Sequence, residues 1–406
     1  MASLVPFRAL RPTPESAARV AAVPYDVVNA EEAAALADGN PLSFLRVSRA
    51  EIDLPPGTNP YSETVYAKAS ENFTQLKSTA PLVLEGEASL YVYRLRMGAH
   101  VQTGVAAAYS MDEYDNDVIK KHERTRRDKE DDRTRHMLAL RAQTGPVFLT
   151  YRASSGVDAI VARITTSKPP LFDFTAPDEV QHTVWRVDAG DQRDVIAAFA
   201  GIPALYIADG HHRAASAARA RQQLRGATGA GGEWDTFLAV AFPDSQVQIL
   251  SYNRVVKGLG PFTPASFLTR LGKQFTVTDG PAIPRRRGEV AMYLDGRWHS
   301  IALGEAPSGL TPAERLDVSR LQDTILAPLL GIGDVRTDKR IDFVGGGRGS
   351  AQLEALVNSG KASVAFSMYP VSVSDLMAIS DAGGIMPPKS TWFEPKLRDG
   401  LLSHVI

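Results

Sequence analysis

The stretch Tyr206-Ile207-Ala208-Asp209-Gly210-His211-His212-Arg213-Ala214-Ala215-Ser216-Ala217 passes from apolar residues to a run of small ones, with four polar side chains and a glycine at the join. Residues 202–208 read as a buried strand. Residues 214–223 read as a helix, because alanine loses least on entering one. A strand running straight into a helix is the repeating unit of α/β layers. Gly210 permits a backbone angle that other residues resist. The first N–H groups of the following helix have no partner within it, and the helix dipole adds partial positive charge there. His211, His212 and Arg213 bring imidazoles and a guanidinium to the same point, which suits a phosphate. Asp209 then stands as a Mg2+ ligand or a base. The plainer reading is an aspartate cap, two satisfied histidines and a surface arginine. Four such groups within five positions at one junction weigh towards chemistry.

Working outward, residues 4–10 predict an opening strand and 16–22 a short helix. Val23-Pro24-Tyr25-Asp26-Val27-Val28 reads as extended, since a residue before proline avoids the helical region. Asn29 caps a helix with early acids. Residues 62–77 are helical by pattern, while 88–96 and 101–110 alternate as a hairpin does. A long polar helix is expected over 116–142, ended by Gly145-Pro146, with strands near 146–152 and 181–187 and a helix over 189–200. Strands at 235–242 and 246–255 follow the Ala-rich helix. Further on, 262–275 is helical and 288–303 is a hairpin turning at Asp295-Gly296. Thr311-Pro312-Ala313-Glu314 has the form of a capping box heading a helix over 312–330. Strand 340–344, helix 350–358, strand 361–369 and helix 372–380 then alternate. The expectation is a mixed α/β (α+β) chain in two parts: 1–258, carrying the site, and 259–406, packed onto it and completing it.

A second polar segment runs Lys120-Lys121-His122-Glu123-Arg124-Thr125 and on through Asp132, Arg133 and His136. On a helix, His122, Arg126, Lys129, Arg133 and His136 would share one face. Dense mixed charge ordinarily marks a solvated helix laced with ion pairs. Yet His122, Glu123 and Thr125 supply a base, an acid and a hydroxyl together. The metalloprotease spacing is not met, because Arg126 stands where the second histidine would be. Ile385-Met386-Pro387-Pro388-Lys389-Ser390-Thr391-Trp392-Phe393-Glu394-Pro395-Lys396 reads as a tail packed on the body, or as a cover for a site. Phe343-Val344-Gly345-Gly346-Gly347-Arg348-Gly349-Ser350 joins a strand to a helix but lacks the P-loop lysine and the dinucleotide spacing.

Composition narrows the classes. With 45 basic and 46 acidic residues the formal net charge is -1, which gives no chain-wide attraction to nucleic acid or anionic lipid. There is no cysteine, so thiol catalysis, disulfides and thiolate metal sites are excluded. The N-terminus has no signal-peptide stretch, and no window approaches the roughly 20 apolar residues of a membrane helix. The expectation is a cytoplasmic protein whose partners are small molecules, with no membrane and no nucleic acid; a homodimer is left open.

Several motifs recur in order along a known family. Pro6-Phe7-Arg8-Ala9, Pro24-Tyr25-Asp26-Val27, Asn40-Pro41, Arg49-Ala50-Glu51-Ile52-Asp53, His122-Glu123-x-Thr125, Asp132-Arg133, Gly145-Pro146, Asp209-Gly210-His211-His212-Arg213 and Pro388-Lys389-Ser390-Thr391 resemble the bacterial and archaeal family called domain of unknown function 1015. That family is distantly similar to the ParB/sulfiredoxin superfamily, whose members hold nucleotide phosphates at a strand-to-helix turn. The resemblance implies a ParB/sulfiredoxin-like core with additional α/β layers. Within the superfamily the free serine kinases share the Asp-Gly-His-x-Arg form. By that resemblance Asp209 would bind Mg2+ or orient the acceptor, while Gly210, His211, His212 and Arg213, with Thr125, would hold the phosphates of ATP or ADP. A glutamate is the base in those kinases, and Glu123 is the candidate here. The chain departs from them in being far longer.

Three functions fit. The first is a Mg2+- and nucleotide-dependent phosphotransferase acting on a small hydroxylated metabolite, free L-serine first among them, with Glu123 or His122 taking the hydroxyl proton. The second is a nucleotide-gated switch without turnover. The third is a metal-dependent hydrolase on Asp209, His211, His212 and His122. Against the third, adjacent histidines on an extended chain point apart.

Overall fold

The computed structural model describes residues 1–79 and 82–406. It is a mixed α/β chain that divides into two compact units, Met1–Val247 with Pro395–Ile406, and Gln248–Glu394. The division differs from the expected 1–258 and 259–406 at both ends of the second part. The final stretch, 395–406, returns to the first unit because its backbone is used there. Ser403–Val405 pairs with Ala9–Arg11 on one side and with Ala142–Gln143 on the other. Arg398, 3 % exposed, donates from Nε to His182 and pairs with Asp178.

The first unit is built on a nine-stranded sheet. Its strands are β1 (Leu4–Val5), β2 (Tyr91–Met97), β3 (His100–Ser110), β4 (Ile119–Lys120), β5 (Val147–Tyr151), β6 (Phe172–Thr175), β7 (Gln181–Arg186), β8 (Leu205–Asp209) and β9 (Thr236–Pro243). They lie in the order β4-β8-β5-β9-β3-β2-β7-β6, with β1 against β3. Most neighbours are antiparallel, but β8 runs parallel to β4 and β9 parallel to β5. Side chains alternate across a strand, so Phe237, Ala239 and Ala241 of β9 face the same core as Val105, Ala107 and Tyr109 of β3. Leu238, Val240 and Phe242 are buried on the opposite face, so β9 is covered on both sides. The helix α1 (Arg127–Leu140) and the helix α2 (His211–Thr228) flank this sheet. Ala214, Ala217, Ala220 and Leu224 form the stripe by which α2 docks. Small alanines let the helix lie close, which keeps its N-terminus against the end of β8.

The predicted hairpin forms over Tyr91–Met97 and His100–Ser110, and α2 begins three residues earlier than its alanine run suggests, at His211. The long helix over 116–142 does not form. In its place stand Met111–Asp115, β4, an irregular stretch over 121–126, and then α1. Three facts break it. Asp117 takes a left-handed φ of 56°, Ile119 is drawn into pairing with Leu205, and Arg126 is extended with its N–H donated to His212. His122 therefore sits on a loop, and the supposed stripe His122, Arg126, Lys129, Arg133, His136 does not exist. Ser155–Ser167 adds a helix that the sequence reading does not anticipate.

The second unit carries a six-stranded antiparallel sheet in the order Thr276–Asp279, Arg297–Ala302, Glu289–Leu294, Val364–Met368, Tyr252–Val256, Ile341–Gly345. The hairpin turns where expected, with Asp295 and Gly296 both at positive φ, the backbone that a two-residue turn requires. Ile249–Leu250 and Trp392–Phe393 pair with each other at the two ends of the unit. The capping contacts between Thr311 and Glu314 form, but the helix starts only at Asp317. It then widens to a π-turn over Gln322–Leu326. Pro328, lacking an N–H to give to the carbonyl of Thr324, opens the ladder there. Among the described residues, no helix is long and apolar enough to cross a membrane.

Candidate functional site

Because β4 and β8 run parallel, with Ile119 beside Leu205 and Lys120 beside Tyr206, the loops that follow them leave the same edge of the sheet. This is the end at which open α/β sheets offer side chains and backbone to a ligand. The loop after β4 carries His122, Glu123 and Thr125; the turn after β8 carries Asp209 to Arg213. Two segments distant in sequence thus meet for a topological reason.

The turn is fixed by Gly210, whose φ is 96°. A Cβ there would lie 2.9 Å from Nε of Arg213. Both the angle and the space exclude a side chain. Arg213 is folded back beneath the bend, 8 % exposed, and donates 2.5 Å to the carbonyl of Pro146 and 3.2 Å to Oδ2 of Asp209. Lys396, from the returning C-terminal segment, donates 3.3 Å to the same oxygen. Burial alone would raise the pKa of Asp209, but the adjacent Lys396 and Arg213 hold it well below the usual carboxylate range. Asp209 is therefore ionised and clamped. The first backbone bond of α2 runs from Ala214 to the carbonyl of Gly210. The N–H groups of His211, His212 and Arg213 lie ahead of that ladder, at the positive end of the dipole.

His211 and His122 pack ring against ring, with centroids 4.4 Å apart and planes at 84°. Nε2 of His211 accepts from the backbone N–H of His122 at 3.4 Å. Its proton is then on Nδ1, which faces Oε2 of Glu123 at 3.9 Å. Burial holds His211 well below its ordinary pKa, and neighbouring His122 lowers it further. Burial likewise lowers His122 to about 4, against the Ile207 carbonyl and the Asp209 carboxylate. Both rings are neutral at neutral pH. The Glu123 carboxylate, by contrast, is 40 % exposed.

The other expected residues are spent on structure. Nε2 of His212 accepts from the N–H of Arg126 at 3.0 Å, tying the loop to α2. Thr125 donates its hydroxyl to Glu130 within the same segment. Among the described residues, no group of three or more His, Asp or Glu side chains is placed to hold a metal by itself. Gly345 and Gly346 are there for packing: a Cβ at Gly345 would lie 2.5 Å from Trp392 and one at Gly346 2.6 Å from the carbonyl of Ser251.

The structure draws together residues from several of the quoted motifs and adds Asp399, which the sequence reading does not single out. Behind Arg213 lies a cavity of about 40 Å³ lined by Tyr25, Arg133, His136, Gly145, Arg213 and Asp399 among others. Arg133 stacks on the ring of Tyr25 at 4.1 Å and donates 2.9 Å to Asp132. Asp399 is 3 % exposed, and Oδ1 makes no hydrogen bond. Burial pushes its pKa up to about 7, opposed by Arg213 and helped by Asp26. A Cβ at Gly145 would lie 2.7 Å from that oxygen. The Pro-Tyr-Asp, Asp-Arg and Gly-Pro motifs therefore converge on one buried cluster behind the turn. Lys396 and Asp399 could be suspected only from charged residues recurring just after the Pro-Lys-Ser-Thr motif.

The family described as protein of unknown function (DUF1015) matches residues 4–319. A search of curated proteins found no match. Among solved structures, free serine kinase in complex with AMP aligns at a TM-score of 0.35 and 15% identity, covering 73% of this chain and 92% of that one. A conserved hypothetical protein from Pyrococcus furiosus aligns at 0.35 and 17%, covering 74% and 95%. SbnI with a C-terminal truncation, from Staphylococcus aureus, aligns at 0.38 and 11%, covering 74% and 87%.

Proposed function

We propose, for a chain that belongs to the DUF1015 family of proteins of unknown function, a phosphotransferase that moves the terminal phosphoryl group of ATP or ADP to the hydroxyl of a small metabolite. One observation carries the reading. An ionised aspartate, clamped by Lys396 and Arg213, stands at a glycine-forced helix N-terminus, with the exposed carboxylate of Glu123 beside neutral His211. Phosphoryl transfer asks for positioning and charge neutralisation above all.

The N–H groups at the start of α2 and the ammonium of Lys396 would receive phosphate oxygens. Glu123 would take the proton of the acceptor hydroxyl as its oxygen bonds to phosphorus and the bond to the bridging nucleotide oxygen breaks. His211, with Nδ1–H towards Glu123, orients that carboxylate. Arg213 acts mainly by holding Asp209 and the bend. Both cations fall on Oδ2 of Asp209, so Oδ1 is the oxygen that would take Mg2+ together with the phosphates, since this ion is commonly held by one or two carboxylates plus substrate oxygens. The ion would supply further neutralisation of phosphate charge. L-serine is the first acceptor to try.

Calorimetric titration with ATP and ADP in the presence of Mg2+, followed by product analysis with L-serine and other hydroxylated metabolites, tests the reading. It expects saturable nucleotide binding and a phosphorylated acceptor. Binding with no product on any acceptor would point to a nucleotide-gated switch, and no binding would end the proposal.

A further inference from the structure

The second unit contains a pocket of about 300 Å³ that has no part in the reading above. Its walls include Val318, Leu326, Val335 and Pro387, with Arg254 among them. Arg254 is 4 % exposed. Its guanidinium donates to the carbonyl of Tyr252 and, at 3.0 Å, to that of Lys389, and its flat face lies 5.5 Å from the ring centre of Phe343. Among the described residues it pairs with two backbone carbonyls and with no carboxylate. A buried charge is costly unless an opposite charge meets it. Two of its five N–H donors are used in these bonds, and the residue lines the pocket.

Side-chain bonds hold the rest of the lining. The π-turn over Gln322–Leu326 carries two of the lining residues, and the amide of Gln322 donates 2.7 Å to Ile332 and 3.1 Å to Gly333, which holds the loop that forms the rim. On that loop Arg336 is exposed, and its own N–H is donated to Asp334. We infer that the second unit holds a binding site of its own, for a small carboxylate with an apolar body, the carboxylate seated on Arg254. A carboxylate is a planar monoanion that matches one guanidinium fork in both charge and shape. A phosphate dianion would bring a second charge to a pocket whose other charged rim groups, Arg336 and Asp334, offset each other. Burial pulls the pKa of Arg254 down to about 10, the expected mark of a cation that lacks its counterion.

The full chain titrated calorimetrically with benzoate, and with benzamide as its uncharged match, tests the site. Benzoate should bind at least about tenfold more tightly than benzamide. Arg254→Met should abolish the difference. Should that variant fail to fold, Val335→Trp, made on a half-exposed wall, should weaken benzoate about tenfold by filling the pocket while nucleotide binding at the first unit is unchanged. Equal binding of the two probes, no binding of benzoate, or indifference to Val335→Trp would overturn the inference. Binding of inorganic phosphate in place of benzoate would overturn the choice of ligand class.

Discussion

Arg213 occupies the space that a side chain at Gly210 would need, its Nε only 2.9 Å from where a Cβ would stand. The two residues are thus a matched pair: the bend exists only while one is bare and the other is tucked beneath it. Gly210→Ala should cost about 1–3 kcal/mol from the left-handed angle alone, with the clash added to it. Urea unfolding of Gly210→Ala and of Gly210→Ala/Arg213→Ala checks this. With Arg213→Ala measured beside them, because it also removes the bonds to Pro146 and Asp209, the double variant should cost less than the sum of the two single ones.

Removing Lys396 should free Asp209 to titrate higher. The folded-state pKa of Asp209 is depressed, so its contribution to stability is present above the unfolded value of about 3.9 and is lost as pH falls through the folded value. In Lys396→Met the folded value moves up towards the unfolded one, so less stability is lost below about pH 4 than in the parent chain. Thermal midpoints measured from about pH 5 down to about pH 2 would show it, and curves of the same slope would contradict the clamp.

Asp399 titrates with the opposite sign. Its folded pKa of about 7 exceeds the unfolded value, so the stability it confers is complete below about 4 and gone once pH has risen through 7. Asp399→Asn should therefore gain on the parent as pH rises, by at most about 1.4 kcal/mol per pH unit across that window. Chemical denaturation at pH 5 and pH 8 is the measurement. His122, lowered to about 4, works in the other direction, its contribution being present above about 6.5 and lost towards acid.

Glu123→Gln should lower kcat by about 10²–10⁴ while leaving nucleotide affinity within a few fold, since the carboxylate is assigned to the acceptor proton and not to phosphate. His211→Gln should reduce kcat less and shift the pH profile, because its Nδ1–H only orients Glu123. Equal losses in the two variants would move the base to His211.

The strand-turn-helix at Asp209–Arg213 was legible because its signals are local: an apolar run, one glycine, an alanine stripe. The Asp295-Gly296 hairpin was legible for the same reason. The segment around His122 was not. Its charges fit helical spacing, and contacts between distant parts of the chain, Ile119 with Leu205 and Arg126 with His212, pull it straight. Lys396 lies 187 residues from the aspartate it holds, and no periodicity reports such a contact. Nothing in its neighbours along the chain marks Asp399 as buried beside Arg213.

The return of residues 395–406 has a consequence for the order of events during synthesis. As the nascent chain emerges, β8 and α2 can pair and dock well before Lys396 leaves the ribosome, yet the aspartate clamp stays half made. The 248–394 unit is made in between, and its two ends meet where Ile249–Leu250 pairs with Trp392–Phe393. The clamp is therefore completed late, and a chain cut short anywhere before residue 396 would hold Asp209 through Arg213 alone.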